Sequence, residues 1–382
     1  MASVLFAFLL GVSAVGTDRG FFDALLRQKS RSGDEPELVR VVDFVKRWLT
    51  DRGVYCAVET NEVGRVALYA ATTPGKVHDY LFVSHLDVVA APDELFEPRY
   101  EGDRVFARGA CDTKGNVVVM CQVLANLVGR ASVGMFLATD EEGGGRGTST
   151  PRFMIARGYV PRKMVIVGDS AGEEPGQLFT AEKGHAHFSL VAHGKGGHSS
   201  RPWSLDNPIP KLCEGYLKFA REWEAGADPA EHWRTVVSPT QLKGSSAGNV
   251  VPDSATMGLS CRYTTQAEYA RVLATLRRAS GLEVIAPEPV MKPVENHPND
   301  PEIARLLAAM ARELPGGIRE GKMSAATHAA FYAGRGLPVV IFAATGGEPH
   351  SAREWGSLAS IDDYADFFTR YLLSASVQRQ SD

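Results

Sequence analysis

Short, uninterrupted apolar runs, several of them ending on a metal-ligand residue type, constrain this chain more than any other feature. Val66–Ala71, Tyr80–Ser84, Val133–Thr139 and Met164–Val167 are short for buried helices and too continuous for half-solvated strands. They fit strands covered on both faces, as in a parallel sheet. Helical periodicity accompanies them. Phe21, Phe22, Leu25 and Leu26 share one face; Leu38, Val41, Val42, Phe44, Val45 and Leu49 share another; Asn116–Val128 is a third helix-like stretch. The alternation predicts an α/β domain with a mixed, mainly parallel sheet flanked by helices.

The pattern changes near Ala181. His185–Ala192 reads as a strand, Pro208–Trp223 as a helix, Thr235–Leu242 and Thr256–Tyr263 as strands, Gln266–Ala279 as a helix and Leu282–Ala286 as extended. That β-α-β-β-α-β order is the order of a small ferredoxin-like α+β sandwich. A Pro-rich stretch, Ala286–Pro301, then leads to helix Pro301–Glu313, strand Pro338–Phe342 and helix Asp362–Leu373. A chain of 382 residues is long for one core, so two domains are expected. The simplest organisation is a catalytic domain over residues 1–180 and 293–382, interrupted by an inserted lid over 181–292.

Composition narrows the function classes. A hydrophobic fraction of 44% and a charged fraction of 23% are those of a soluble globular chain. A net charge of -4 gives no electrostatic case for nucleic acid or an anionic membrane. Cys56, Cys111, Cys121, Cys213 and Cys261 are odd in number and lack metal-motif spacing, so reduced, mostly buried thiols are expected. Ser3–Gly16 is apolar, yet no Lys or Arg precedes it and it is too short to span a bilayer. No later segment approaches a membrane span. The expectation is a cytoplasmic protein, with export through an atypical signal peptide over residues 1–14 as the alternative.

Chemistry concentrates in six segments: Ser84-His85-Leu86-Asp87, Arg108-Gly109-Ala110-Cys111-Asp112-Thr113-Lys114-Gly115, Asp140-Glu141-Glu142-Gly143, Val167-Gly168-Asp169, Gly196-Gly197-His198-Ser199-Ser200 and Glu348-Pro349-His350-Ser351. Two His, two Asp and one Glu can hold two divalent ions through one bridging carboxylate, with a further Glu left as base. His85 and Asp169 end strands, and Asp87 could orient the other ring nitrogen of His85. Asp112 lies in a Gly-flanked loop opening a helix, where a plain N-cap is the bland alternative. Adjacent Asp140, Glu141 and Glu142 at a strand end repel one another unless cations neutralise them. If Glu142 binds metal, Glu141 points away in an extended chain and becomes the candidate general base. Two dications carry +4 and three carboxylates -3, leaving room for an anionic nucleophile.

Other motifs read differently. Gly168-Asp169-Ser170-Ala171-Gly172 matches the nucleophile elbow of serine esterases, but no helical period follows Ser170. His185 and His187 alternate with apolar residues in a strand, which favours surface or structural roles. Gly143-Gly144-Gly145-Arg146-Gly147-Thr148 lacks the Lys of a phosphate-binding loop.

Taken together, the order and spacing of these segments from about Thr17 onward resemble the co-catalytic zinc aminoacylase/carboxypeptidase family, which includes acetylornithine deacetylase, succinyl-diaminopimelate desuccinylase, glutamate carboxypeptidase and bacterial dipeptidases. The resemblance implies that His85 and Asp169 hold one zinc and Glu142 and His350 the other, with Asp112 bridging, Glu141 as base and Asp87 as partner of His85. It also implies that His198 stabilises an oxyanion, often across a dimer. Asn249, in Gly248-Asn249-Val250-Val251-Pro252, and Arg262, in Ser260-Cys261-Arg262, match positions that contact the substrate's carboxylate end. The inserted domain would then serve as lid and dimerisation unit.

Two departures bear on substrate. Gly168-Asp169-Ser170 stands where the family's deacylases often have Gly-Glu-Pro. Met323-Ser324-Ala325-Ala326-Thr327-His328-Ala329 stands where they have Gly-Thr-Ser-Asp-Ala-Arg, and is closer to the Thr-Tyr-Ala form of some dipeptidases. The expectation is therefore a metallopeptidase with two divalent ions (zinc, with cobalt or manganese also suited), cleaving small peptides that carry a free carboxylate. The alternative substrate is an N-acyl amino acid. A serine esterase using Ser170 and a non-catalytic binding protein are the competing classes. A homodimer without nucleic-acid partner or membrane span is expected.

Overall fold

The computed structural model describes residues 18–143, 149–170, 172, 174–245, 247–286 and 291–377. The candidate signal peptide over residues 1–14 and residues 144–148 of the Gly-rich segment lie outside the described residues. Chain contacts divide the protein into two compact units. One comprises Met1–Thr180, Asn296–Gly321 and Thr327–Asp382; the other comprises Ala181–Glu295 and Lys322–Ala326.

The first unit is built on a mixed sheet. At its centre Val133–Ala138, Val77–His85, Val160–Gly168 and Val339–Phe342 run parallel in that spatial order. Antiparallel strands extend both sides: Val66–Ala71 and then Tyr55–Thr60 beyond Val133–Ala138, and Gln177–Glu182 beyond Val339–Phe342. Every residue of Val133–Ala138 and Val339–Phe342 is buried, as expected of strands covered on both faces. Helices Glu35–Thr50 and Lys114–Asn126 pack against strands of this sheet, and a 3-10 turn, His328–Phe331, packs against its parallel strands.

Helix Lys114–Asn126 explains its own position. It is apolar all round and buried from Lys114 to Leu124, so it needs cover on every side. Helices Arg19–Leu26 and Leu358–Val377 supply the cover away from the sheet. The outer helices are amphipathic and capped by carboxylates: Asp18 accepts from the Phe21 N–H and Asp34 from the Glu37 N–H.

A small antiparallel sheet completes the unit, in the order Gly346–Gly347, Trp355–Ser357, Arg104–Phe106, Arg99–Glu101. His350 sits in the loop between the first two of these strands, and the Asp112 turn follows Arg104–Phe106 along the chain. Gly346 and Gly356 permit close approach here. A Cβ on Gly346 would lie 2.5 Å from the Cys111 Cβ, and one on Gly356 would lie 2.6 Å from the Ala110 carbonyl oxygen.

The second unit is a four-stranded antiparallel sheet, Val236–Lys243, Ser254–Tyr263, Gly184–His193 and Glu283–Ile285, in that spatial order. With helices Pro208–Trp223 and Gln266–Ser280 packed on it, the chain order is β-α-β-β-α-β. Phe188, Leu190, Leu259, Cys261, Leu212, Phe219, Val272 and Leu276 are among its separate core.

Candidate metal centre

Parallel strands share a carboxyl-terminal edge, and open α/β sheets build their sites there. Val77–His85 ends on His85, Val133–Ala138 runs on into Asp140, Glu141 and Glu142, and Val160–Gly168 runs on into Asp169. Asp112 arrives from the turn before helix Lys114–Asn126, with a cis peptide bond to Thr113. Asn116, one turn into the helix, locks these segments together. Its Nδ2 donates to Thr113 Oγ1 at 2.8 Å and to the Ser170 carbonyl at 3.1 Å, and its Oδ1 accepts the Ala344 N–H at 2.8 Å.

The side chains converge as two groups of potential ligands: His85, Asp112 and Asp169; and Asp112, Glu142 and His350. Within each group one ligand atom per residue lies within 4.8 Å of the others. His85 Nε2 is 3.4 Å from Asp112 Oδ1 and 3.5 Å from Asp169 Oδ1. His350 Nε2 is 3.3 Å from Asp112 Oδ2 and 3.1 Å from Glu142 Oε1. Asp112 thus turns one carboxylate oxygen to each group. Glu141 belongs to neither.

Asp87 is fully buried and acts on both sides. The His85 Nδ1 lies 2.9 Å from the Asp87 main-chain carbonyl, which orients the ring with Nε2 facing the carboxylates. The Asp87 carboxylate, the expected partner of His85, also lies beside this nitrogen, its Oδ1 3.5 Å away. The same carboxylate takes other donors: Oδ2 accepts from Ser32 Oγ at 2.7 Å and from the Glu142 N–H at 2.9 Å, and Oδ1 from the Glu141 N–H at 3.2 Å.

The electrostatics fit divalent cations. Burial, then the negative charge of Asp169, push the Glu141 carboxyl well above its usual range. Burial likewise raises Asp169. Hydrogen bonds to Asp112 and Glu142 raise His350 to about 10. His85 Nε2 is buried with no hydrogen-bond partner, although two carboxylate oxygens face it. A cation between them would satisfy all three groups and relieve the crowding of acids. Imidazole and carboxylate donors suit zinc, cobalt or manganese.

The remaining predicted residues lie in the second unit. Strand Gly197–His198 pairs antiparallel with Val250–Val251, and the Ser199 N–H donates to the Asn249 carbonyl at 2.9 Å, so His198 and Asn249 come from adjoining segments. Both are exposed. His198 Nδ1 accepts from Ser200 Oγ at 2.9 Å. Arg262 is half-buried and stands opposite His185 in the strand register. The His185 and His187 rings stack edge-on at 4.4 Å, and His185 Nε2 lies 3.2 Å from Ser260 Oγ. Among the described residues neither joins a ligand group. Between Ser170 and the next element, strand Gln177–Glu182, the described residues 172 and 174–176 form no helix, which counts against the esterase elbow.

Residues 81–374 match the model of peptidase family M20/M25/M40. The chain belongs to that family. Among curated relatives, a succinyl-diaminopimelate desuccinylase of Gluconobacter oxydans is 28% identical over 202 residues, covering 50% of this chain and 53% of the relative. The chain thus matches about half the length of such relatives. Among solved structures, the aminopeptidase PepT of Bacillus cereus superposes with a TM-score of 0.74 at 16% identity, covering 94% of this chain and 99% of that one. A dinuclear metal-binding M20 peptidase, the YXEP protein of Bacillus subtilis, superposes with a TM-score of 0.68 at 15% identity, covering 94% and 99%. At these identities the likeness is one of fold.

Within this M20/M25/M40 chain the structure adds residues to which the sequence assigned no role. Arg108 and Glu354 form a buried ion pair at 2.5 Å. Glu354 Oε1 accepts the N–H groups of Cys111 and Asp112, each at 3.2 Å, and Arg108 Nη2 donates to the carbonyls of His350 and Ser351, each at 3.1 Å. His328 is also buried, its ring 6.4 Å from that of His85, and burial lowers it to about 3. It is thus a neutral, apolar-packed wall to the site.

Proposed function

We propose that this chain is a dinuclear metal-dependent hydrolase of amide bonds in small peptides bearing a free carboxylate, of dipeptidase or carboxypeptidase type. The observation that carries it is Asp112 shared between two ligand groups, with Glu141 half-buried beside them and in neither. His85 and Asp169 would hold one ion, Glu142 and His350 the other, and Asp112 both; zinc is the ion we assign. Bound there, the pair would polarise the scissile carbonyl and acidify water. Glu141 then takes the proton of the attacking water and passes it to the leaving amine. Asp87 holds Glu141 and Glu142 by their backbone. The roles of His198 at the oxyanion, of Asn249 and Arg262 at the substrate carboxylate, and of residues 181–292 as lid and dimerisation unit rest on the family resemblance. Light scattering tests the homodimer.

A second substrate class, N-acyl amino acids, is favoured by the curated relatives, which are named as succinyl-diaminopimelate desuccinylases. The metal-stripped protein should be reloaded with Zn2+ and offered dipeptides, N-acetyl and N-succinyl amino acids, with released amine read by ninhydrin. Turnover of dipeptides, abolished by chelator and indifferent to Ser170→Ala, is expected. Turnover that survives chelation and vanishes in Ser170→Ala would overturn the proposal. Among the described residues no helix is long and apolar enough to cross a membrane.

A further inference from the structure

Resting on the dinuclear assignment above, we infer that the Arg108–Glu354 pair is a positioning unit for the second ligand group, so that occupancy of the Asp112/Glu142/His350 position depends on it far more than occupancy of the His85/Asp112/Asp169 position, which shares only Asp112 with it. The two groups are supported differently. The first grows from strand ends: the His85 ring is held by the Asp87 carbonyl at 2.9 Å, Ser84 Oγ donates to the Gly168 carbonyl at 2.7 Å, and Asp169 Oδ1 accepts the Ser170 N–H at 2.6 Å. None of these contacts of His85 and Asp169 involves Arg108 or Glu354; the pair reaches the first group only through the Asp112 N–H.

The second group depends on a loop. His350 has a left-handed backbone, φ 63°, as does Glu348 at φ 53°, a conformation that side chains with a Cβ disfavour unless the surroundings impose it. The His350 side chain is 52% exposed, so packing does little to hold it. What holds the loop is Arg108, which reaches two successive carbonyls, His350 and Ser351, through Nη2 and Glu354 through Nη1. Glu354 in turn grips the N–H of Asp112. The pair therefore joins the bridging carboxylate to the one histidine of the second group across 246 residues of sequence. An arginine fork is required, because a lysine ammonium offers no planar set of donors to span a carboxylate and two carbonyls.

The test is metal stoichiometry. Wild-type protein, Arg108→Lys and Glu354→Gln are stripped, dialysed against graded Mn2+, and followed by bound metal and by the spin-coupled electron paramagnetic resonance signal of a metal pair. Wild type should take two equivalents. Each variant should keep the first within about threefold, lose about 10- to 100-fold at the second, the usual scale for groups behind a ligand, and lack the coupled signal at concentrations that saturate the wild type. His350→Ala, run alongside, should behave in the same way. Unchanged affinity at both positions, or equal loss at both, overturns the inference. Circular dichroism gates each variant, and unfolding of both would assign the pair to the fold rather than to the metal centre, which also overturns it. A wild type that takes fewer than two equivalents rejects the dinuclear assignment itself, a separate result.

Discussion

Asp87 accepts the main-chain N–H of Glu142 at 2.9 Å, so a fully buried carboxylate on one loop fixes the backbone of a candidate ligand on another. The same side chain holds the N–H of Glu141 at 3.2 Å. Burial pushes the Asp87 carboxyl up, but the His85 ring beside it, then Ser32 Oγ and the Glu142 N–H, hold it below its usual range. Asp87→Asn removes the charge and turns half of the acceptor into a donor facing N–H groups. We expect metal affinity and kcat each to fall about 10- to 100-fold, with Ser32→Ala milder. Equal metal affinity in Asp87→Asn and wild type, by equilibrium dialysis, would remove Asp87 from this role.

Glu141 separates chemistry from metal holding. It is half-buried, within the fields of Asp169, Asp112 and Glu142, yet joins neither ligand group. Glu141→Gln keeps its shape and removes its basicity. The expected outcome is a loss of about 10²–10⁴ in kcat, the range for a positioned general base, with metal content measured by atomic absorption unchanged. Loss of metal together with activity would make Glu141 a ligand instead.

The five ligand candidates were legible because each stands at a strand end or in a loop beside one, where an apolar run stops on a charged residue. That local contrast marked His85, Glu142 and Asp169 as candidates, but only the six segments together, and the family resemblance, assigned them to two ions. The Arg108–Glu354 pair was not legible, because a buried ion pair between residues 246 apart leaves no periodic trace. Arg108 was visible as a neighbour of Asp112, and nothing around Glu354 marks it. Strand Tyr55–Thr60 escaped for another reason: it is an edge strand, exposed or half-buried throughout, and lacks the apolar run that betrays the central strands. Strand Gln177–Glu182 carries only two apolar residues together, Leu178 and Phe179, and finds its place by pairing with Val339–Phe342. The C-terminal helix, expected over Asp362–Leu373, runs from Leu358 to Val377 because its ends pack on the core as well.

His350 gives the metal centre a proton signature. In the metal-free protein the carboxylates of Asp112 and Glu142 raise its ring to about 10, above the ordinary 6.5 of histidine. The folded, metal-free state therefore holds a proton here that the unfolded chain releases. The contribution of His350 to stability is full below about pH 6.5 and disappears as pH rises toward 10. A metal ligand must be neutral, so loading at pH 7 expels this proton, and apparent metal affinity should climb with pH across the same window. Calorimetry at pH 7 in buffers of contrasting ionisation enthalpy should show net proton release. A buffer-independent heat would contradict the assignment.

Gly115 offers a test of how tightly the Asp112 turn is held. In an ordinary helix interior, Gly→Ala stabilises by about 1 kcal/mol. At Gly115, however, a Cβ would lie 2.6 Å from the Ala110 carbonyl oxygen, a main-chain atom, and 3.2 Å from Ile361 Cδ1. Forced overpacking typically costs about 1–3 kcal/mol, so it should outweigh the helix preference. Ala110 is two residues before Asp112, and displacing its carbonyl moves the loop that carries the bridging carboxylate. Gly115→Ala should lower the urea midpoint and weaken both metal positions together, unlike the selective loss expected of Arg108→Lys. Gly20→Ala is the control. It lies in helix Arg19–Leu26, its nearest neighbour would be Asp18 Oδ1 at an ordinary 3.4 Å, and it should be neutral or stabilising. If Gly115→Ala instead matched Gly20→Ala in both urea midpoint and metal binding, the turn would be more yielding than its contacts require.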